Sequence, residues 1–85
     1  MTLAAHHTAA WRLYRANPIL DRHHLHRVIS YGKAWLDEAE RKARRDRALR
    51  AKVETRFYLM AYAFDAYGRG DIRKAQSIMM QFWSS

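Results

Sequence analysis

The chain predicts an all-α protein, a small bundle of about four helices. Three observations lead there. Glycine and proline interrupt the 85 residues at only four places, Pro18, Gly32, Gly68 and Gly70, and good helix formers fill the intervals. Apolar residues recur at three- and four-residue steps, which is the period of one helix face. No cysteine is present, so neither a disulfide frame nor a cysteine-based zinc site replaces a packed core. The length is that of one domain, residues 1–85, and a chain this short hides only about 60–65% of its unfolded surface. Its private core is therefore small, and association with itself or with a partner is expected.

The first helix is expected over residues 3–16, with Leu3, Ala10, Leu13 and Tyr14 on one face. Asn17 and Pro18 have the chemistry of an N-cap and a first helical position, because proline's missing N–H costs nothing there. A second helix is thus expected over residues 18–44. Leu25, Val28, Ile29, Gly32, Trp35, Leu36, Ala39 and Ala43 form one apolar stripe along it. Gly32 lies on that stripe, where it permits close helix packing rather than breaking the helix.

The stripe stops in a basic block. Residues 41–56 carry Arg41, Lys42, Arg44, Arg45, Arg47, Arg50, Lys52 and Arg56 against Asp46 and Glu54 alone, which is +6 of the chain's formal +8. Apolar positions resume as Leu49, Val53, Phe57, Met60, Phe64 and Tyr67, displaced by roughly 50° from the earlier stripe. One straight helix through the block would be about 50 Å long, whereas a compact chain of this size has a radius of gyration near 12 Å (about). A bend or break between Ala43 and Leu49 is the better expectation, giving a third helix over residues 47–67.

Gly68-Arg69-Gly70-Asp71 is the clearest turn. Gly68 is expected to end the third helix in a left-handed conformation and Asp71 to cap the fourth, residues 71–83. Ile72, Ala75, Ile78, Met79 and Phe82 give the fourth helix its inner face, antiparallel to the third. The stretch from Ala61 to Ala75 resembles the helical hairpin of tetratricopeptide-type repeats in its small residues and Gly-Asp turn. It occurs once, which excludes a stacked solenoid.

The basic block carries the functional expectation. Its potential attracts polyanions, whether nucleic acid, an acidic protein surface or an anionic membrane. Local pairs of Asp37 with Arg41, Glu40 with Arg44 and Asp46 with Arg50 offer a purely structural use for the charge. Each such pair contributes only about 0.2–0.5 kcal/mol, too little to explain eight cations. Tyr58 and Tyr62 fall on a strip with Arg44, Arg47, Ala51 and Thr55 if the helix is continuous. Rings beside cations stack on bases or anchor protein interfaces, unless the first helix buries them. Met80 and Trp83, at the edge of the fourth helix, form a candidate secondary interface, with packing near Trp11 as the alternative.

His6, His7, His23, His24 and His26, with Asp21 nearby, lack a second ligand group at a diagnostic spacing, so neither metal nor cofactor is expected. No cysteine nucleophile, phosphate-binding glycine loop or nucleophile elbow appears, and Asp37, Glu38 and Glu40 read as a charged helix face. An enzyme is not expected; a small basic ribonuclease is the nearest catalytic alternative. The leading expectation is a non-enzymatic regulator or inhibitor that binds an acidic protein surface or nucleoprotein machine, by analogy with accessory proteins of phages and other mobile elements. The alternative is direct DNA or RNA binding by the basic helix, residues 41–56, although no helix-turn-helix, zinc finger or RNA-binding signature supplies a docking geometry. Self-association into a homodimer is also compatible with the small core. The longest apolar run, residues 57–64, is far below the ~20 residues of a membrane span, and with no signal-like N-terminus the expectation is a cytoplasmic protein without membrane contact.

Overall fold

Thr2 opens the first helix by accepting the Ala5 N–H at 3.1 Å. The chain is described by a computed structural model covering residues 2–17 and 19–85. Four α-helices follow in order: α1 (Leu3–Ala16), α2 (Arg22–Lys42), α3 (Arg47–Gly68) and α4 (Ile72–Ser84). No strand occurs among the described residues. The most extensive packing is between α3 and α4, which form the hairpin, while α1 lies chiefly on α2.

The junction of the first two helices differs from expectation. Asn17 ends α1: its backbone N–H and its side-chain Nδ2 both donate to the Leu13 carbonyl, at 3.0 and 3.2 Å. The capping residue of α2 is Asp21, whose carboxylate accepts the His24 N–H at 2.8 Å. So α2 starts at Arg22, four residues later than expected from Pro18, and Pro18 itself lies outside the described residues. The non-helical connection drops Leu20 into the core, only 2% exposed. That burial, with a charged cap, outweighs the weaker Asn-Pro start.

Along α2 the expected stripe is the buried one: Leu25, Val28, Ile29, Gly32, Trp35, Leu36 and Ala39 all face inward, with Ala43 just beyond. Gly32 sits under the other helices. A Cβ there would lie 2.6 Å from Met60 Cε and 3.0 Å from Met79 Cε, so glycine lets α2 approach both α3 and α4.

The basic block contains the turn. Residues Ala43–Arg45 tighten into a 3-10 turn, and Asp46 caps α3 by accepting the Leu49 N–H at 3.1 Å. The radius of gyration, 12.4 Å, is that of a folded-back chain rather than one built on a long rod.

The α3–α4 turn is a Schellman motif. Asp71 N–H donates to the Ala66 carbonyl at 2.9 Å and Gly70 N–H to Tyr67 at 3.0 Å. The left-handed residue is Gly70, with φ +80°, not Gly68 as expected. Gly68 remains helical because the helix continues one residue further, to its cap at Arg69. Asp71 caps α4 as expected, accepting the Lys74 N–H at 3.2 Å.

Candidate functional site

On α3 the buried positions are Val53, Arg56, Met60, Ala63 and Ala66, with Leu49, Leu59 and Tyr67 half-buried. This face keeps Leu49, Val53, Met60 and Tyr67 of the expected one and is rotated from it by roughly 50°. Phe57 and Phe64 were placed inward; they are 55% and 47% exposed. Small residues explain the turn: Ala63, Ala66 and Ala75 are fully enclosed, and small side chains let the α3–α4 hairpin close tightly. Bulky rings at those contacts would hold the helices apart, so the phenylalanines go outward.

Arg56 is the largest departure from the sequence reading. It was placed among the polyanion-binding cations, yet it is 2% exposed. Its guanidinium lies over Trp35 at 4.3 Å, Phe82 at 5.0 Å and Trp83 at 5.4 Å. Nε donates to Ser85 Oγ at 3.2 Å and Nη2 to the Ser85 carbonyl at 3.1 Å. Burial lowers its pKa to about 10, so it stays a cation at neutral pH. The aromatic faces and the Ser85 acceptors take the place of water. It ties α3 to the end of α4 and is unavailable to a partner.

Trp83, expected at a secondary interface, is likewise buried at 1% exposure. Its ring packs against Phe82 at 4.8 Å and His7 at 5.7 Å between centroids. The α1 helix therefore covers it. Met80 remains exposed and lines a shallow surface groove with Ile19, Arg73, Gln76 and Ser77. The His7 ring, facing Trp11 and Trp83, has its pKa lowered, first by burial and then by the charges of Arg56 and Lys52.

The other cations are displayed. Arg41, Lys42, Arg44, Arg45, Arg47, Arg50 and Lys52 are all exposed around the turn. The three local ion pairs that would have given the charge a purely structural use do not form. Glu38 instead reaches Lys42 Nζ at 3.6 Å and buried His6 Nε2 at 3.3 Å. Arg50 folds back, its Nη2 donating to the Ala43 and Arg44 carbonyls at 3.4 and 3.2 Å. It adds a second donor to the Ala43 carbonyl, which already accepts the Asp46 N–H at 3.3 Å, and one to the Arg44 carbonyl. Arg44, Arg45 and Arg47 have no carboxylate partner among the described residues.

Tyr58 and Tyr62 stay 64% and 63% exposed, uncovered by α1. Because the chain breaks at Asp46, Arg44 is not on their helix; Arg47 is. At about 100° per residue, Arg47, Tyr58 and Tyr62 share one sector, while Arg50, Phe57, Ala61 and Phe64 share the next. By the same arithmetic Glu54 falls between these sectors and Asp65 falls in line with Arg47. Beside Phe57 and Phe64, α2 contributes Lys33, Leu36, Asp37 and Glu40, and together with Met60 and Ala61 they line an open apolar groove of about 320 Å³.

Two signals in the sequence pointed to what was missed. Leu49, Val53, Arg56, Met60, Ala63 and Tyr67 follow strict four- and three-residue steps, so Arg56 sits on a core line. The alanines at 63 and 66 marked the tight face.

Among the described residues no three His, Asp or Glu side chains come together as a metal site requires. Asp21 is engaged by His24, through its N–H and its Nδ1, both at 2.8 Å, and these bonds hold its pKa below the usual carboxylate value. No helix among the described residues is long and apolar enough to cross a membrane. Compared with known protein families, with curated proteins and with solved structures, the chain matches none of them.

Proposed function

We propose that this is a non-enzymatic docking protein, a small regulator or inhibitor. It binds an acidic surface on a partner protein or nucleoprotein machine through the basic turn, residues 41–52, and the adjoining tyrosines of α3. The observation that carries this reading is that Tyr58 and Tyr62 are exposed in the same sector of α3 as Arg47, while Arg44 and Arg45 are exposed in the turn just before that helix. Exposed rings anchored on a rigid helix lose little freedom on contact, and Tyr and Arg are the residues on which interface energy concentrates. The unpaired cations would steer an acidic partner and fix its orientation. Phage and mobile-element accessory proteins fit this description by analogy, and the cytoplasm is the compartment the reading implies.

Direct nucleic-acid binding is the second reading, favoured by the absence of carboxylate partners for Arg44, Arg45 and Arg47 among the described residues. Glu54 and Asp65 weigh against it. Both put negative charge along the tyrosine side, where a phosphate backbone would pass, with Asp65 offset by Arg69 at 3.2 Å and Glu54 not offset among the described residues.

Affinity capture from a nuclease-treated extract tests the choice. A discrete protein retained by wild type, and lost in both Tyr58→Ala/Tyr62→Ala and Arg44→Glu/Arg45→Glu/Arg47→Glu, supports the first reading. Retention of nucleic acid alone, with an affinity that falls steeply as salt rises, supports the second.

A further inference from the structure

The groove between α2 and α3 is not required by the tyrosine and basic-turn reading, and its occupant is a separate question. Phe57 and Phe64 stand one heptad apart on α3, about 10 Å along its axis, with Ala61 between them and Leu36 and Met60 forming the floor. Phenylalanines this exposed, beside an apolar floor, are unusual on a chain that stays monomeric. We propose that a second copy of this chain covers the groove, giving a two-fold symmetric dimer through the Phe57, Ala61 and Phe64 face.

Charge on the rim favours a copy over an unrelated acidic partner. Lys33 is cationic, Asp37 and Glu40 are anionic, and all three are exposed along the groove. A contact with both signs on one face is self-complementary under a two-fold axis, because the axis brings the cation of one copy against the acids of the other. A purely acidic partner would oppose Asp37 and Glu40. Size fits too. Phe57 and Phe64 together present about 150–250 Å² of aromatic surface per protomer, over the apolar floor of Leu36, Met60 and Ala61. With the charged rim added, the pair would bury near ~1,000 Å² in total, the lower end of specific interfaces. The small private core of an 85-residue chain makes this added burial useful. Ala61 lets the two α3 helices approach, and Tyr62 and the basic turn stay outside the contact, free for a partner.

Sedimentation equilibrium of the full chain tests this. Wild type should move from the 10.1 kDa monomer toward twice that mass, with a dissociation constant of about 1–50 µM. Phe57→Glu and Phe64→Glu should each raise that constant by about 30-fold or more, with unchanged helical circular dichroism because both rings lie outside the core. Tyr62→Glu should leave it within about threefold. Salt gives an independent sign: two chains of charge +8 repel, so raising salt should leave dimerisation unchanged or tighten it. Contacts of the basic turn with a polyanion should weaken over the same range.

A monomer persisting to about 200 µM would overturn the proposal, as would a dimer insensitive to Phe57→Glu and broken by Tyr62→Glu. If the chain is monomeric and the groove amides respond only to a captured partner, the groove belongs to that partner and the dimer is excluded. The tyrosine and basic-turn reading survives any of these results, since its own test is loss of capture in the Tyr58 and Arg44 variants.

Discussion

Replacing Arg56 separates its structural role from the binding role its position in a basic block suggests. In Arg56→Ala the aliphatic stem and guanidinium leave a cavity beneath Trp35, Phe82 and Trp83, which costs about 2–4 kcal/mol by analogy with other large-to-small core changes. Losing the stacked cation removes about 2 kcal/mol more, and the two hydrogen bonds to Ser85 about 1 kcal/mol each. Against this stands relief from burying a charge. The fall in the Arg56 pKa to about 10, caused by burial, corresponds to roughly 3 kcal/mol. The net loss is about 3–5 kcal/mol, a large part of the stability of a domain this small.

Arg56→Met should come out within about 1 kcal/mol of wild type, because it keeps most of the volume and removes the desolvation cost. Urea unfolding followed by tryptophan fluorescence, with circular dichroism as a second probe, gives these values. Arg47→Ala, at an exposed cation of the same block, should change stability by no more than about 0.5 kcal/mol. If Arg56→Ala is as stable as wild type and loses only partner binding, the buried cage and the rotation of α3 are both wrong.

Other outcomes follow from particular residues. Gly70→Ala should destabilise by about 1–2 kcal/mol in urea titrations because φ is +80° there, whereas Gly68→Ala, which is helical and unobstructed, should be neutral or stabilising by up to about 1 kcal/mol. His7 has a folded pKa below its ordinary 6.5. The stability it contributes is full above that value and is lost as pH falls through the folded value, so the drop in Tm from about pH 7.5 to 5 should shrink in His7→Gln. Asp46→Ala removes the cap of α3 and should cost about 1 kcal/mol in the same urea titrations. It should also weaken partner binding more than its charge alone implies, because Arg44 and Arg45 lose their fixed placement.

The sequence was most readable where one face alone is apolar. On α2 the stripe from Leu25 to Ala43 is buried residue for residue, since charged neighbours leave no other face to turn inward. The break inside the basic block followed from the phase change and from Asp46. On α3 the run from Phe57 to Phe64 is apolar on several sides, so periodicity does not select a face, and large rings were favoured over Ala63 and Ala66. Hairpin packing reverses that order, because helix approach is set by the small residues. Arg56 was misread because its charge spoke for the surface while its position lay on the core line. For Trp83 the sequence leaves an exposed edge and packing near Trp11 both open, and contact with α1 selects the packed one. The exposed cations and tyrosines were legible from composition and spacing, but the groove beside them depends on the rotation of α3.

The central claim is that the tyrosine side of α3, next to the basic turn, is where another macromolecule docks. A photo-crosslinking residue placed at position 62, and as a control at exposed Arg15 on α1, tests it most directly in nuclease-treated extract. A discrete protein adduct from position 62, absent from position 15 and abolished by Arg44→Glu/Arg45→Glu/Arg47→Glu, is the predicted result. Equal adducts from both positions, or an adduct from position 62 that persists after the charges are reversed, would contradict it.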